Sequence, residues 1–261
     1  MNYNNELNLL KTITKQIYED AILTVKHTSF KGEQDIVTST DLYIERHLIE
    51  KIKLAFPNDF IHSEEYHNKT VLKDRTWLID PIDGTSNYAA HLGLYVVQIA
   101  LYDKGDIVLS YIYAPSFNKT YYAIKGEGAY LNDKKYHVSD KQDPSNFMIS
   151  MVGLSHKSSD ITYFKKIIDL SIDHKFKTRM LGSIGLELAL TSEGIFNLFY
   201  TNVTNLWDLC PGILLVKEAG YILLNEKNEP YQLQDKNLFV CKDQKSVDII
   251  KNYILLSVIS G

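Results

Sequence analysis

The stretch W-L-I-D-P-I-D-G-T-S-N-Y, residues 77–88, decides how this chain is read. Trp77, Leu78 and Ile79 make a short apolar strand that ends at Asp80. Pro81 biases Asp80 toward extended geometry. Pro81 and the next residues then turn the chain, so Asp80 and Asp83 can converge on one point. Gly84 permits a tight or positive-φ conformation, and Thr85, Ser86 and Asn87 can open a helix. A strand, an acidic turn and a helix start, in that order, can hold a hard cation and a phosphate together. Carboxylate oxygens suit Mg²⁺ at ~2.0–2.1 Å, and free N–H groups at a helix start suit an anion. Alone, a D-x-x-D-G reads first as an acidic turn in which Asp83 caps the helix.

It is not alone. I-H-S-E-E (61–65) also follows a short apolar patch, and N-L-W-D-L-C-P-G (205–212) places Asp208 at a third helix start. One pair of carboxylates at 4 Å repels by about 4 kcal/mol at an effective dielectric near 20. If these groups converge, a bound metal is the natural remedy.

Working outward, residues 6–26 read as an amphipathic helix on Leu7, Leu10, Ile13, Ile17 and Ala21. A polar loop around Lys31–Gly32 leads to a second helix. Thr38, Ser39 and Thr40 all offer caps for it, and Pro57 stops it after about Ala55. Two helices thus precede the first clear strand. After W-L-I-D come strands at 95–102 and 106–113, joined by a hairpin at Asp103–Lys104–Gly105. A continued meander turns at Gly126 and Gly128. The second half reads as a strand at 147–152, helices at 161–172 and 183–193, a strand at 195–199, and a helix from Asp208 to Ala219 ended by Gly220. The short loop near Asp140–Pro144 is the one candidate boundary. The chain therefore reads as a single unit, 1–261, with sub-domains of about 1–140 and 141–261.

Composition narrows the function. With 261 residues, 28 Lys+Arg against 32 Asp+Glu and net charge −4, a footprint built on basicity is not expected, so nucleic acid is set aside. Two cysteines, Cys210 and Cys241, make no disulfide framework and fit a reducing, cytoplasmic compartment. No secretory signal and no apolar run of spanning length is read, so no membrane partner is expected. The apolar stretch from Tyr253 to Val258 reads as a docked terminal element or a modest interaction surface.

The motif at 77–88 resembles the central motif of the inositol monophosphatase family, the lithium-sensitive, Mg²⁺-dependent phosphatases. S-E-E-Y resembles that family's acidic pair and L-W-D-L-C-P-G its C-terminal W-D signature. D-I-V-T-S-T-D-L-Y-I-E is similar to its N-terminal helix motif, and L-G-S-I-G-L-E-L (181–188) to its G-S-A-A-L helix start. All five occur in family order, covering about residues 5 to 245. The resemblance implies an α+β fold, a layered α-β-α-β-α sandwich with the metal site between the sub-domains. It also implies a homodimer. Glu64, Asp80 and the Ile82 carbonyl would hold one Mg²⁺, and Asp80, Asp83 and Asp208 a second. A third, weaker ion would sit on Glu64 through waters. Glu64 and Thr85 would orient the attacking water, with Asp83 in the catalytic set, and the Gly84–Thr85 amides would grip phosphate. Glu65 reads equally as a ligand or as a supporting carboxylate. Asp41 reads as added charge near the cluster or as helix stabilisation. His62 and His67 read as surface or supporting groups, and Cys210 as core.

The leaving-group side departs from the family pattern. Gly182 and Ser183 match the substrate-facing helix start, but Ile184 is bulkier than the usual Ala. Members acting on inositol phosphates carry a Glu seven residues before the W-D aspartate, and that count lands on Thr201. Three readings follow: a phosphatase of inositol phosphate or another small sugar phosphate; a phosphatase of NADP or of 3′-phosphoadenosine bisphosphate; or a non-catalytic metal-binding regulatory domain.

Overall fold

The computed structural model describes residues 3–24, 28–30, 36–66, 72–138, 147–153 and 161–255. Helix α1 (Asn4–Thr24) buries Leu7, Leu10, Ile13, Ile17 and Ala21 along one stripe, the i, i+3, i+4 set of an amphipathic helix. Its expected last residues, 25–26, lie outside the described residues, as does Lys31–Gly32. Strands β1 (Thr28–Phe30) and β2 (Ile36–Thr38) pair antiparallel. A short hairpin therefore stands between the first two helices, where a loop alone was expected. Three-residue strands carry too little alternation to give a period-2 signal. Helix α2 (Ser39–Ala55) starts at Thr38, whose hydroxyl accepts from the Asp41 N–H while the Asp41 carboxylate accepts from the Thr38 N–H. This reciprocal capping box fixes the helix start, and the helix ends before Pro57 as expected.

A seven-stranded sheet follows. Its strands are β3 (Phe60–Ser63), β4 (Arg75–Asp83), β5 (Val96–Asp103), β6 (Asp106–Ala114), β7 (Lys119–Ile124), β8 (Gly128–Leu131) and β9 (Lys134–Tyr136), side by side in chain order. β3 and β4 run parallel, and the other neighbours are antiparallel. Helix α3 (Thr85–Ala89) interrupts the path from β4 to β5. The β5–β6 turn has positive φ at Lys104 (52°) and Gly105 (89°), the pattern of a tight two-residue hairpin.

The second half contains β10 (Met148–Val152), α4 (Thr162–His174), β11 (Lys177–Arg179), α5 (Ile184–Ser192), β12 (Leu198–Thr201), α6 (Leu206–Glu218), β13 (Ile222–Leu224), β14 (Leu238–Cys241) and α7 (Gln244–Ile249). A wider helical turn at Ile250–Leu255 ends the described chain. The sheet order is β11-β10-β12-β14-β13. The strand expected at 195–199 is shifted to Leu198–Thr201. The Asn197 side chain accepts from the Met148 N–H at 2.9 Å, so the regular ladder starts one residue later. The Asp140–Pro144 stretch lies outside the described residues.

Adjacent side chains on each strand face opposite layers. Trp77, Ile79, Val97 and Ile99 pack against α1 and α2. Leu78, Ala100 and Ile112 pack against α5 and α6, which also cover Phe199 and Val240 of the smaller sheet. That sheet's other face, through Ile149, Tyr200 and Phe239, meets α4 and the C-terminal Ile250 and Ile254. The layers are thus α-β-α-β-α. Helix α5 is apolar nearly all round because it lies between two sheets. The C-terminal apolar stretch is docked at Ile254, and its residues from 256 onward lie outside the described set.

Candidate active site

β4 does not stop at Asp80. Asp80 pairs with Gln98 and Asp83 with Val96, so three steps along β4 match two along β5. That is a bulge. Pro81 is tolerated because a bulged position need not supply a ladder N–H. The strand therefore runs on through Ile82, and the bulge brings Asp80 and Asp83 into one buried corner.

Two other elements deliver carboxylates there. Glu64 follows β3, its N–H donating to the Ile79 carbonyl at 3.2 Å. Asp208 stands in the first turn of α6. The Asp80 carboxyl is pushed well above the usual carboxylate range, first by burial and then by the charges of Glu64, Asp83 and Asp208. Burial, reinforced by the Asp83 charge, pushes Asp208 up to about 7. Burial also raises Asp83 to about 6, against hydrogen bonds that favour its ionised form. Among the described residues no Lys or Arg forms an ion pair with Asp80, Asp83 or Asp208. Asp80 Oδ2 accepts from Gln98 Nε2 at 3.3 Å, whereas Asp80 Oδ1 is buried without a hydrogen-bond partner. Among the described residues no three such side chains have closed into a ready-made cage. The Asp80 and Asp208 carboxyls interact side chain to side chain, yet the cluster still holds a buried carboxylate oxygen that lacks a donor.

Asp83 also caps a helix, but that helix is α5 rather than α3. Its Oδ2 accepts from Ser183 Oγ at 2.6 Å and Gly185 N at 2.5 Å, and its Oδ1 from Ile184 N at 3.2 Å. Thr85 Oγ1 lies 2.9 Å from the Ile82 carbonyl and 3.2 Å from Asp41 Oδ1, its single hydrogen serving one acceptor at a time. Asp41 is buried, which pushes its carboxyl up to about 6. Gly84 has φ +95°, and a Cβ there would stand 2.9 Å from the Leu94 carbonyl oxygen, so only glycine fits.

The remaining expected residues are spread more widely. The Glu65 N–H donates to Glu45 Oε2 at 3.0 Å, and its charge acts on Asp41 and Glu45. Gly182 is exposed, with its N–H donating to Glu187 Oε1 at 2.9 Å. Thr201 is fully buried, its hydroxyl accepting from the Val203 N–H at 3.1 Å. It lies beneath the surface rather than on it. His62 packs on Trp207 with ring centroids 4.9 Å apart. His67 lies outside the described residues, and Cys210 is a buried thiol.

Three residues were not singled out from the sequence. Gln98 Nε2 contacts both Asp80 Oδ2 and the Asp208 carbonyl, at 3.3 and 3.2 Å. Asn205 Nδ2 donates to Asp208 Oδ2 at 3.0 Å. Glu187 is a buried carboxylate inside α5. Gln98 and Glu187 each interrupt an otherwise apolar run, V-V-Q-I-A-L and I-G-L-E-L-A-L, and that was the available signal.

The chain matches the model of the Inositol monophosphatase family over residues 5–253. An inositol monophosphatase of Dictyostelium discoideum is 29% identical, over 95% of this chain and 93% of that one. A fructose-1,6-bisphosphatase/inositol-1-monophosphatase of Thermotoga maritima is 31% identical, over 87% of this chain and 84% of its own. A solved Thermotoga maritima IMPase superposes with a TM-score of 0.82 at 26% identity, covering 96% of this chain and 98% of that one. Layered sandwich, acidic bulge and sequence agree: this chain belongs to the inositol monophosphatase family, whose members are phosphoric monoester hydrolases.

Proposed function

We propose that this chain hydrolyses small phosphate monoesters with Mg²⁺, in a cleft between sub-domains of about 1–140 and 141–261. One observation carries the reading. A buried carboxylate oxygen without a donor, Asp80 Oδ1, sits among Glu64, Asp83 and Asp208. Such an all-oxygen, multiply charged set suits a hard divalent cation. Glu64, Asp80 and the Ile82 carbonyl would hold one ion. Asp80, Asp83 and Asp208 would hold a second, and Glu64 a third through waters. When bound, Mg²⁺ supplies positive charge against phosphate and leaving-group oxygens and acidifies water.

The chain's own groups do the rest. Glu64 and Thr85 orient the attacking water, and Asp41 and the Ile82 carbonyl position the Thr85 hydroxyl. The Gly84–Thr85 amides hold phosphate oxygens. Attack is in line, and no protein group is phosphorylated. The leading substrate class is inositol monophosphate or a related sugar phosphate. The paired activity in the name of the Thermotoga maritima relative supports a site tolerant of more than one sugar phosphate. NADP and 3′-phosphoadenosine bisphosphate are the competing substrates. By family resemblance the enzyme works as a cytoplasmic homodimer and is inhibited by millimolar Li⁺.

The test is phosphate release from inositol 1-phosphate, fructose 1,6-bisphosphate, NADP and 3′-phosphoadenosine 5′-phosphate, each with Mg²⁺ and with chelator. Release that requires Mg²⁺ is expected from at least one sugar phosphate. Turnover of the nucleotides alone would move the assignment to the second class. Mg²⁺ binding without any turnover would make the chain a metal-binding regulatory domain.

A further inference from the structure

The segment Leu181–Ser183 joins β11 to α5 and lies against the acidic corner. Ser183 Oγ donates to Asp83 at 2.6 Å, and a Cβ on Gly84 would stand 3.0 Å from Ser183 Cβ. Yet three of the segment's polar backbone groups are taken up by side chains of α5 and α3. The Leu181 and Gly182 N–H groups both donate to Glu187 Oε1, at 2.9 Å each. The Leu181 carbonyl accepts from Asn87 Nδ2 at 2.7 Å, and the same Nδ2 donates to the Leu94 carbonyl at 2.8 Å. Glu187 Oε2 accepts from Ser150 Oγ.

Glu187 occupies a fully buried position one helical turn after Ser183, on a helix otherwise almost wholly apolar. Burying a carboxylate there is costly unless it is fully hydrogen bonded. A leucine would satisfy α5 as well, so the carboxylate serves the segment rather than the helix. Gly182 completes the arrangement. Its φ is +79°, and a Cβ would come 3.3 Å from Asn87 Nδ2, so the ridge at 182 is bare backbone.

We infer that Glu187 and Asn87 clamp the Leu181–Gly182 backbone from two sides, making it a fixed wall for the leaving group, and that this clamp sets leaving-group affinity and preference. The inference deepens the hydrolase reading and rests on it. With both N–H groups committed inward, the wall recognises its ligand by shape and position instead of by donating from those amides. Asn87 belongs to the same short helix as Thr85, so the clamp ties the phosphate-holding turn to the leaving-group wall. A wall displaced by about 1 Å weakens productive seating without touching the cation ligands. Glu187 and Asn87 are positioning residues.

The experiment compares wild type with Glu187→Gln, Glu187→Ala and Asn87→Ala. It reads KM and kcat for inositol 1-phosphate and p-nitrophenyl phosphate, Mn²⁺ affinity by electron paramagnetic resonance, and hydrogen exchange of the 181–182 amides. Glu187→Gln retains an oxygen that accepts both N–H groups and should keep KM within about threefold. Glu187→Ala and Asn87→Ala should raise KM for inositol 1-phosphate by about tenfold and flatten the preference between the two substrates. Mn²⁺ affinity should stay within about twofold, since no cation ligand is altered. Glu187→Ala should also speed exchange at 181–182. Asn87 is only half-buried, so its variant keeps the test alive if Glu187→Ala does not fold. Unchanged KM and preference in both alanine variants, or Mn²⁺ affinity falling in step with kcat, would overturn the clamp. A wild type inactive on both substrates and also on NADP and 3′-phosphoadenosine 5′-phosphate would instead defeat the hydrolase reading beneath it.

Discussion

The two ends of β4 gather carboxylates in opposite ways. At its start, Glu6, Asp59 and Asp103 all reach the Arg75 guanidinium, at 2.6, 2.9 and 3.5 Å. Trp77 Nε1 adds a hydrogen bond to Asp59 at 2.8 Å. At its finish, roughly 25 Å along the strand, buried Asp80 and Asp83 meet half-buried Asp208, with no Lys or Arg paired to them among the described residues. One strand thus carries a cluster that the chain itself pairs with a cation and another that it does not. The first stabilises the fold at one edge of the α1–β4 contact. The second opposes folding whenever it is ionised, which is the mark of a site shaped for something the chain does not supply.

Breaking the acidic end should show the largest effect. Asp208→Asn should lower kcat by about 10³-fold or more, some 4 kcal/mol of transition-state stabilisation, with an unchanged circular-dichroism spectrum. A loss below tenfold would remove Asp208 from the working cluster. Asp83→Asn is a less clean probe than the sequence implies. An amide cannot accept all the donors that α5 directs at Asp83, so melting temperature should fall along with activity.

Breaking the Arg75 end should do the reverse. Arg75→Met takes the guanidinium from three carboxylates, of which Asp59 keeps Trp77 and Asp103 keeps the Tyr3 hydroxyl, and should cost about 2–4 kcal/mol, toward the lower figure because the Arg75 side chain is 27% exposed. Denaturant melts would measure that loss, while the Mg²⁺ requirement should not move. A shifted Mg²⁺ requirement would mean that the two ends are not independent. Gln98→Leu sharpens the comparison, since it removes a donor from Asp80 Oδ2 and from the Asp208 carbonyl. Mg²⁺ affinity should weaken by about tenfold, or ~1.4 kcal/mol, read by calorimetric titration; an unchanged affinity would make Gln98 mere filling. The smallest effect belongs to Thr201→Val. It should cost about 1 kcal/mol for the lost bond to Val203 and shift substrate preference by less than about twofold. A larger shift in preference would put Thr201 at the cleft surface after all.

Much of this arrangement was legible in the sequence because it is local. Thr38 and Asp41 are three residues apart in a capping box, and residues 77–88 carry strand, acidic turn and helix start within twelve positions. What escaped depended on partners far along the chain. The bulge at Pro81 exists because β5 offers two residues where β4 spends three. Taken alone, the D-x-x-D-G turn offers Asp83 as a local cap, whereas the donors it accepts from lie about a hundred residues on, at the start of α5. Thr201 was placed by counting, but counting cannot tell that its hydroxyl turns back onto Val203. Gln98 and Glu187 looked like polar interruptions of apolar runs, and their roles appear only once the sheets and the central helices are stacked.

The central claim is that the unpaired carboxylates at the end of β4 form a site completed by a divalent cation. Its most direct test is the melting temperature of wild type against pH, with and without Mg²⁺. Asp83 is raised to about 6 and Asp208 to about 7 from an ordinary value near 3.8, and Asp80 moves the same way. The folded, metal-free chain therefore holds more protons than the unfolded one between about pH 4 and 7, and its stability falls as pH rises through that window. Asp41 and Glu187, also raised, add a slope that Mg²⁺ should leave in place. The account predicts that the curves with and without Mg²⁺ coincide near pH 4 and separate steadily toward pH 7.5. The gap should be several degrees, at ~2–4 °C per kcal/mol for a chain of this size. Curves that superimpose across the whole range would contradict it.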